Sequence, residues 1–288
     1  MSSVIKANEF GQVSEEIINE FARILCIEHP ACRARLSLYG GQVLSWQPKE
    51  QDEVFWLSKS ADYKQGRAVR GGIPLCWPWF GDFNGAGNHG FARQSHWQLE
   101  DISLTKEAVV IVLSLQGNHC HELWPNRFAL QQVLTFGEEF SQTLSMTNLS
   151  DDDVKYTAAL HSYFNVSSPL EVRVDQLSAV NFDDKLTAEL QVSAALDHCA
   201  GPIDRIYYCD VPMKIEDKGL NRVISIIPLN TKQWVLWNPG IEGAQAIADI
   251  HDHGEQEYVC LEAANTQWQV ISPNETLKIG QHISVSSY

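Results

Sequence analysis

Along most of this chain apolar and polar residues alternate one by one. Over 140–147, Phe140, Gln142, Leu144 and Met146 oppose Ser141, Thr143, Ser145 and Thr147. Ala34, Leu36 and Leu38 oppose Arg33, Arg35 and Ser37. Val154, Tyr156, Ala158 and Leu160 oppose Lys155, Thr157, Ala159 and His161. A period of two sends successive side chains to opposite faces, the pattern of half-buried antiparallel strands. Further strand-like runs cover 109–115, 128–136, 170–175, 223–228, 233–238, 258–264 and 277–286. Turn-forming clusters such as Gly40-Gly41, 148–153 and Asn238-Pro239-Gly240 separate many of them. Helical periodicity is scarce. Its one candidate is 13–22, where Val13, Ile17 and Phe21 would share a helix face. At least ten strands with few short helices predict an all-β fold, a large antiparallel β-sandwich. No linker, repeat or break in composition divides the chain. Residues 1–288 are therefore read as one domain, with about 1–23 as an N-terminal extension.

Composition narrows the partners. The formal net charge of −15 argues against nucleic acid and anionic membrane surfaces. It leaves room for a phosphate ligand wherever arginines dominate a pocket. The seven cysteines are scattered, with no C-x-x-C pair, so neither a disulfide framework nor a zinc knuckle is expected. No basic-then-apolar leader opens the chain, and no apolar run approaches ~18 residues. A reducing cytoplasm is the expected compartment, and a monomer the expected state.

The chemically richest stretch runs Arg70-Gly71-Gly72-Ile73-Pro74-Leu75-Cys76-Trp77-Pro78-Trp79-Phe80-Gly81, followed by Asn88-His89-Gly90-Phe91-Ala92-Arg93. Two arginines and a histidine among aromatics, glycines and prolines suit a shaped pocket with a few fixed polar groups. Arginine's planar fork favours carboxylate or phosphate. Gly85-Ala86-Gly87-Asn88-His89-Gly90 matches G-x-G-x-x-G, yet no helical pattern follows, so it is read as a bending loop. Two histidine pairs, His119/His121 and His251/His253, have metal-like spacing but are read as solvated loop residues. The longest polar stretch, 248–257, is read as a loop.

Three single residues remain open on local grounds. His161 ends an alternating strand on its small-residue face, as a ligand group or as a structural hydrogen-bonding partner. Glu262 stands inside the apolar run Tyr258-Val259-Cys260-Leu261-Glu262-Ala263-Ala264. Shelter from water would raise its pKa and make it a competent base, whereas a solvated face would make it ordinary. Asp204 opens a strand after Gly201-Pro202, as a turn cap or as a group for a sugar hydroxyl. The nine tryptophans suit sugar stacking and core filling alike.

Taken in order, Arg70-Gly71-Gly72-Ile73-Pro74, His89-Gly90-Phe91-Ala92-Arg93, Leu160-His161-Ser162-Tyr163-Phe164, Asp204-Arg205-Ile206-Tyr207, Trp237-Asn238-Pro239 and Leu261-Glu262 resemble the galactose-mutarotase-like superfamily. Within it the chain is similar to the glucose-6-phosphate 1-epimerase branch, from about residue 24 to the end. The resemblance implies a sugar cleft on a concave sheet, with no metal and no organic cofactor. It implies Glu262 as general base and His161 as general acid, on opposite sides of the sugar. It gives His89, Asp204 and Asn88 to the sugar, and Arg70 and Arg93 to a 6-phosphate. The expected partner is a small hexose phosphate.

Overall fold

The structure, a computed structural model, describes residues 2–288, so Met1 of the single-domain reading lies outside the described residues. Three antiparallel sheets carry the chain. The first takes its strands in chain order: Ser2–Asn8, Gly11–Ile17, Arg23–His29, Cys32–Ser37 and Gln42–Pro48. The second runs Met213–Asp217, Arg222–Leu229, Thr276–Ser287, Phe140–Asn148, Phe128–Phe136, Val109–Gly117 and Gln98–Leu104. The third runs Glu189–Val192, Phe182–Asp184, Ile203–Tyr207, Gln233–Asn238, Tyr258–Ile271, Val154–Leu160 and Leu75–Cys76, with Tyr163–Asn165 also paired to Tyr258–Ile271. Among the described residues the one α-helix is Gly240–Gln245. The all-β expectation therefore holds, and no helix among the described residues is long and apolar enough to cross a membrane.

Two local expectations fail. The helix expected at 13–22 is a strand, Gly11–Ile17, paired to Arg23–His29 with Val13 opposite Ile27. A spacing of four residues satisfies a period of two as well as 3.6, so Val13 and Ile17 could not distinguish them. The chain then turns, with the Asn19 side chain accepting from the Phe21 and Ala22 N–H groups. The strand expected at 170–175 is a turn leading into the 3-10 segment Asp175–Leu177, with one bridge from Arg173 to Glu216. Val172 and Val174 are still buried, so their alternation reports burial and not a ladder.

The third sheet positions the site because its two faces differ. Val259, Leu261 and Ala263 join Trp234, Leu236 and Leu160 in the main core, which also receives side chains from the other two sheets. The alternate residues Tyr258, Cys260, Glu262 and Ala264 face the other way, beside Val235 and Trp237. A buried polar row ties this sheet to the second one. Ser162 bonds Gln281 at 3.0 Å, Gln281 donates to Gln142 at 3.1 Å, Gln142 to Gln132 at 2.9 Å, and Gln132 to the Gly41 carbonyl at 2.8 Å. Buried amides are costly unless paired, so the row fixes the turn at Ser162, next to His161.

Candidate active site

One wall of the site is the segment from Arg70 to Arg93. Its glycines allow close backbone approach. At Gly72 (φ 62°) a Cβ would strike the Val43 carbonyl, and at Gly90 (φ 66°) the Trp77 carbonyl. The segment is tied to the third sheet by His161 N–H to Pro74 O at 3.1 Å, Tyr163 N–H to Gly72 O at 2.9 Å and Thr157 N–H to Pro78 O at 2.9 Å. The Phe80 N–H donates to the Thr157 hydroxyl at 2.7 Å. Arg70 is held from two sides, donating from Nε to Asp249 Oδ1 at 3.0 Å and from Nη1 to the Tyr163 hydroxyl at 2.9 Å. Arg93 sits in the 3-10 segment Ala92–Gln94 and donates from Nη2 to the Asn88 carbonyl at 2.9 Å. Its buried Nε has no partner.

His89 adopts a left-handed backbone, φ 69°, uncommon for a non-glycine residue. The turn is closed by its N–H donating to Gly81 O at 2.8 Å, and by the Gly81 N–H donating to His89 Nδ1 at 3.2 Å. Because Nδ1 accepts, the neutral ring carries its proton on Nε2. Burial, with Arg93, His161 and Arg70 nearby, pushes the His89 pKa well below its ordinary value, so the ring is neutral near pH 7.

The floor of the site comes from adjacent strands. The Leu160–Ala263 and Tyr163–Cys260 pairs share one register, which sets His161 across from Glu262. Val235 pairs with Glu262 on the other side. His161 Nε2 lies 3.4 Å from Glu262 Oε1. Glu262 is 1% exposed and His161 7%. Glu262 Oε2 and His161 Nδ1 have no hydrogen-bond partner. Burial, reinforced by Asp204 and opposed by Arg93, raises the Glu262 pKa well above the usual carboxylate range. Burial lowers the His161 pKa to about 3, and the positive fields of Arg93 and Arg70 add to that. The two groups are neighbours and do not stand on opposite sides of the space.

All seven expected residues, Arg70, Asn88, His89, Arg93, His161, Asp204 and Glu262, line one cleft of about 680 Å³. Asn88 is exposed and uses its backbone carbonyl to hold Arg93. Asp204 lies in the strand Ile203–Tyr207, where burial raises its pKa and Lys185 opposes the rise. Sequence reasoning gave no role to Lys185, Trp237 or Phe80, which line the same cleft. Trp237 was visible in the Trp-Asn-Pro motif. Lys185 left no signal, because a hairpin remote in sequence delivers it. A smaller adjoining cleft of about 300 Å³ shares Arg70 and Arg93 and adds Arg67 and Asp249.

The 248–257 stretch is no free loop. Asp249 holds Arg70. His251, expected in solvent, stacks on Trp56 with ring centres 5.6 Å apart and bonds Glu257 at 2.9 Å. Glu257 also accepts from Trp56 Nε1 at 2.8 Å and Lys59 Nζ at 2.9 Å. An indole and a lysine from a distant segment supply partners that the local sequence does not contain. His119 and His253 are exposed, and among the described residues neither histidine pair joins a three-residue ligand cluster.

Residues 23–284 match the Aldose 1-epimerase family, and the chain belongs to it. It is 32% identical over 273 residues to the Escherichia coli (strain K12) protein named "Putative glucose-6-phosphate 1-epimerase", covering 91% of this chain and 90% of that one. A relative of the same name, from Cenchrus ciliaris, is 30% identical over 264 residues, covering 87% of this chain and 78% of that one. Among solved structures, the crystal structure of a "putative mutarotase" from Salmonella typhimurium superposes with a TM-score of 0.90. That match has 30% identity and covers 99% of this chain and 97% of that one.

Proposed function

We propose that this protein interconverts the α and β anomers of hexose 6-phosphates, chiefly D-glucose 6-phosphate, by opening and reclosing the sugar ring. The observation that carries this reading is one cleft holding both a buried carboxylate–imidazole pair, 3.4 Å apart, and two arginines. The names of the relatives point to the same substrate.

Glu262 removes the proton of the C1 hydroxyl while His161 protonates the ring oxygen O5, and the C1–O5 bond breaks. Both oxygens are attached to C1, so neighbouring groups suit this better than groups facing each other across the sugar. The open form is an aldehyde. Rotation about C1–C2 turns its other face to the C5 hydroxyl. For closure, Glu262 returns its proton to the aldehyde oxygen and His161 takes the proton from the C5 hydroxyl. Each group contributes about 10²–10⁴-fold. After opening, the carboxyl is protonated and the imidazole neutral, the pairing that burial favours.

Arg70 and Arg93 bind the 6-phosphate through paired donors. They also act on the proton pair. Unoccupied, their positive charge helps hold the proton off His161. A bound phosphate dianion offsets that field and removes one of the influences that hold the proton off His161, while burial, the larger one, stays. The Nε2–H of His89 donates to a sugar oxygen, Asp204 accepts from a hydroxyl, and Asn88 holds Arg93 and borders the sugar.

The test is anomer exchange measured by saturation-transfer NMR on glucose 6-phosphate, with free glucose for comparison. Acceleration of the phosphosugar alone is expected. Equal acceleration of both sugars would retain the proton pair and remove the phosphate role. Acceleration of neither would overturn the reading.

A further inference from the structure

A third reactive group lies beside the proton pair and takes no part in the proposed reaction. Cys260 stands two residues before Glu262 on the same face of the strand Tyr258–Ile271, packed among Tyr163, Tyr258 and Trp237. One nitrogen of His161, the Cys260 sulfur and one Glu262 oxygen all lie within 4.8 Å of one another. Among the described residues no other His, Cys, Asp or Glu trio is so gathered. Cys260 is 0% exposed, and both Glu262 Oε2 and His161 Nδ1 lack a partner.

We propose that His161, Cys260 and Glu262 form an inhibitory binding site for a thiophilic divalent cation, Zn²⁺ foremost. The donor set is one nitrogen, one sulfur and one oxygen. Zinc accepts all three, at bonds of about 2.0–2.3 Å in tetrahedral geometry. Magnesium and calcium require oxygen ligands and are excluded by the same chemistry. His161 and Glu262 line the cleft, and an ion reaches the trio from there.

Charge balance favours the site despite its burial. Binding expels the thiol proton and any proton on the carboxyl to solvent. The dication then sits with one thiolate and one carboxylate, a cluster of zero net charge that does not add to the field of Arg70 and Arg93. The ion takes one imidazole nitrogen and one carboxylate oxygen of the two residues that exchange protons with the sugar. Bound metal therefore blocks turnover and competes with the sugar. The inhibition, though not the binding, rests on the reading of His161 and Glu262 as the proton pair.

The experiment uses the full chain, freed of metal, with Co²⁺ as a spectroscopic probe and Zn²⁺ as the inhibitor. Titration with Co²⁺ is expected to produce a thiolate-to-cobalt charge-transfer band that glucose 6-phosphate diminishes. Cys260→Ala should abolish the band, while Cys120→Ala, which removes the exposed thiol, should keep it. Without metal, Cys260→Ala should exchange anomers like the parent. Its zinc inhibition should weaken by at least the roughly 10–100-fold that loss of an outer-shell partner costs a metal site. Glu262→Gln supplies a second variant, read by the cobalt band alone, and should bind Co²⁺ more weakly with its fold intact. Absence of the band in the parent would overturn the site, whether or not the protein is an epimerase. So would a band that survives Cys260→Ala, or zinc inhibition of equal strength in that variant.

Discussion

Over 258–263 the two faces of the strand Tyr258–Ile271 are equally closed to solvent and chemically opposite. Val259, Leu261 and Ala263 on one face, and Tyr258, Cys260 and Glu262 on the other, are all at most 1% exposed. On the first face these three side chains are apolar and belong to a core built from all three sheets. On the second, Glu262 Oε2 and the Tyr258 hydroxyl are buried with no hydrogen-bond partner. Burial alone therefore does not separate core from site. On this strand, what separates them is whether the fold supplies partners for the polar atoms it hides. A missing partner costs about 1–3 kcal/mol for each polar group, and Glu262, His161 and Arg93 each carry one such atom in the cleft.

The largest break in this comparison is Glu262→Gln. Anomer exchange should fall by about 10²–10⁴-fold, read by saturation-transfer NMR. Stability should move the other way. Wild-type Glu262 has a folded pKa above its ordinary value of 4.5. Between those two values the folded state holds a proton that the unfolded state has lost, so wild-type stability falls as pH rises. The variant escapes this loss, and its advantage in thermal unfolding should grow as pH rises above 4.5. An advantage that shrinks with pH would show that the carboxyl is not sheltered.

Leu261→Ala is the matching change on the other face. It should cost about 2–5 kcal/mol in denaturant unfolding. Exchange per folded molecule should remain near that of the parent. A large loss of turnover in fully folded protein would show that the two faces are not separable.

Smaller effects come from the wall. Arg93→Ala should weaken glucose 6-phosphate by roughly 10–100-fold, the range for a hydrogen bond to a charged group. Free glucose should be little affected. Equal losses, measured by competition in the exchange assay, would separate Arg93 from the phosphate. Asp249→Asn keeps an acceptor for Arg70 but removes its charge. The expected result is a KM for the phosphosugar raised by about fivefold, equivalent to about 1 kcal/mol, with kcat unchanged. A change in kcat alone would place Asp249 in the chemistry and not in the positioning of Arg70.

Much of this molecule was legible in its sequence because strands write their faces directly into an alternation of residue types. The strand through 140–147 and the run 258–264 could be read that way, down to Glu262 sharing a face with Tyr258 and Cys260. The same rule misread 13–22, where a spacing of four serves two periods. It misread 170–175, where buried alternating valines flank a single bridge residue, Arg173, outside any strand. The seven site residues were legible as types in motifs, and the resemblance grouped them.

The sequence by itself determined the all-β class, the acidic body with its arginine-bearing segment, and the singular carboxylate inside an apolar strand. Tertiary structure alone decided the rest. Register across separate strands set His161 beside Glu262, 101 positions away in the chain, and brought Lys185 and Trp237 into the same cleft. It also turned the 248–257 stretch from a presumed solvated loop into an anchor for Arg70 and Trp56. Alternation records which side of a strand a residue occupies. It does not record which strand lies next to it, and the partners that shift a pKa or hold an arginine come from that neighbour.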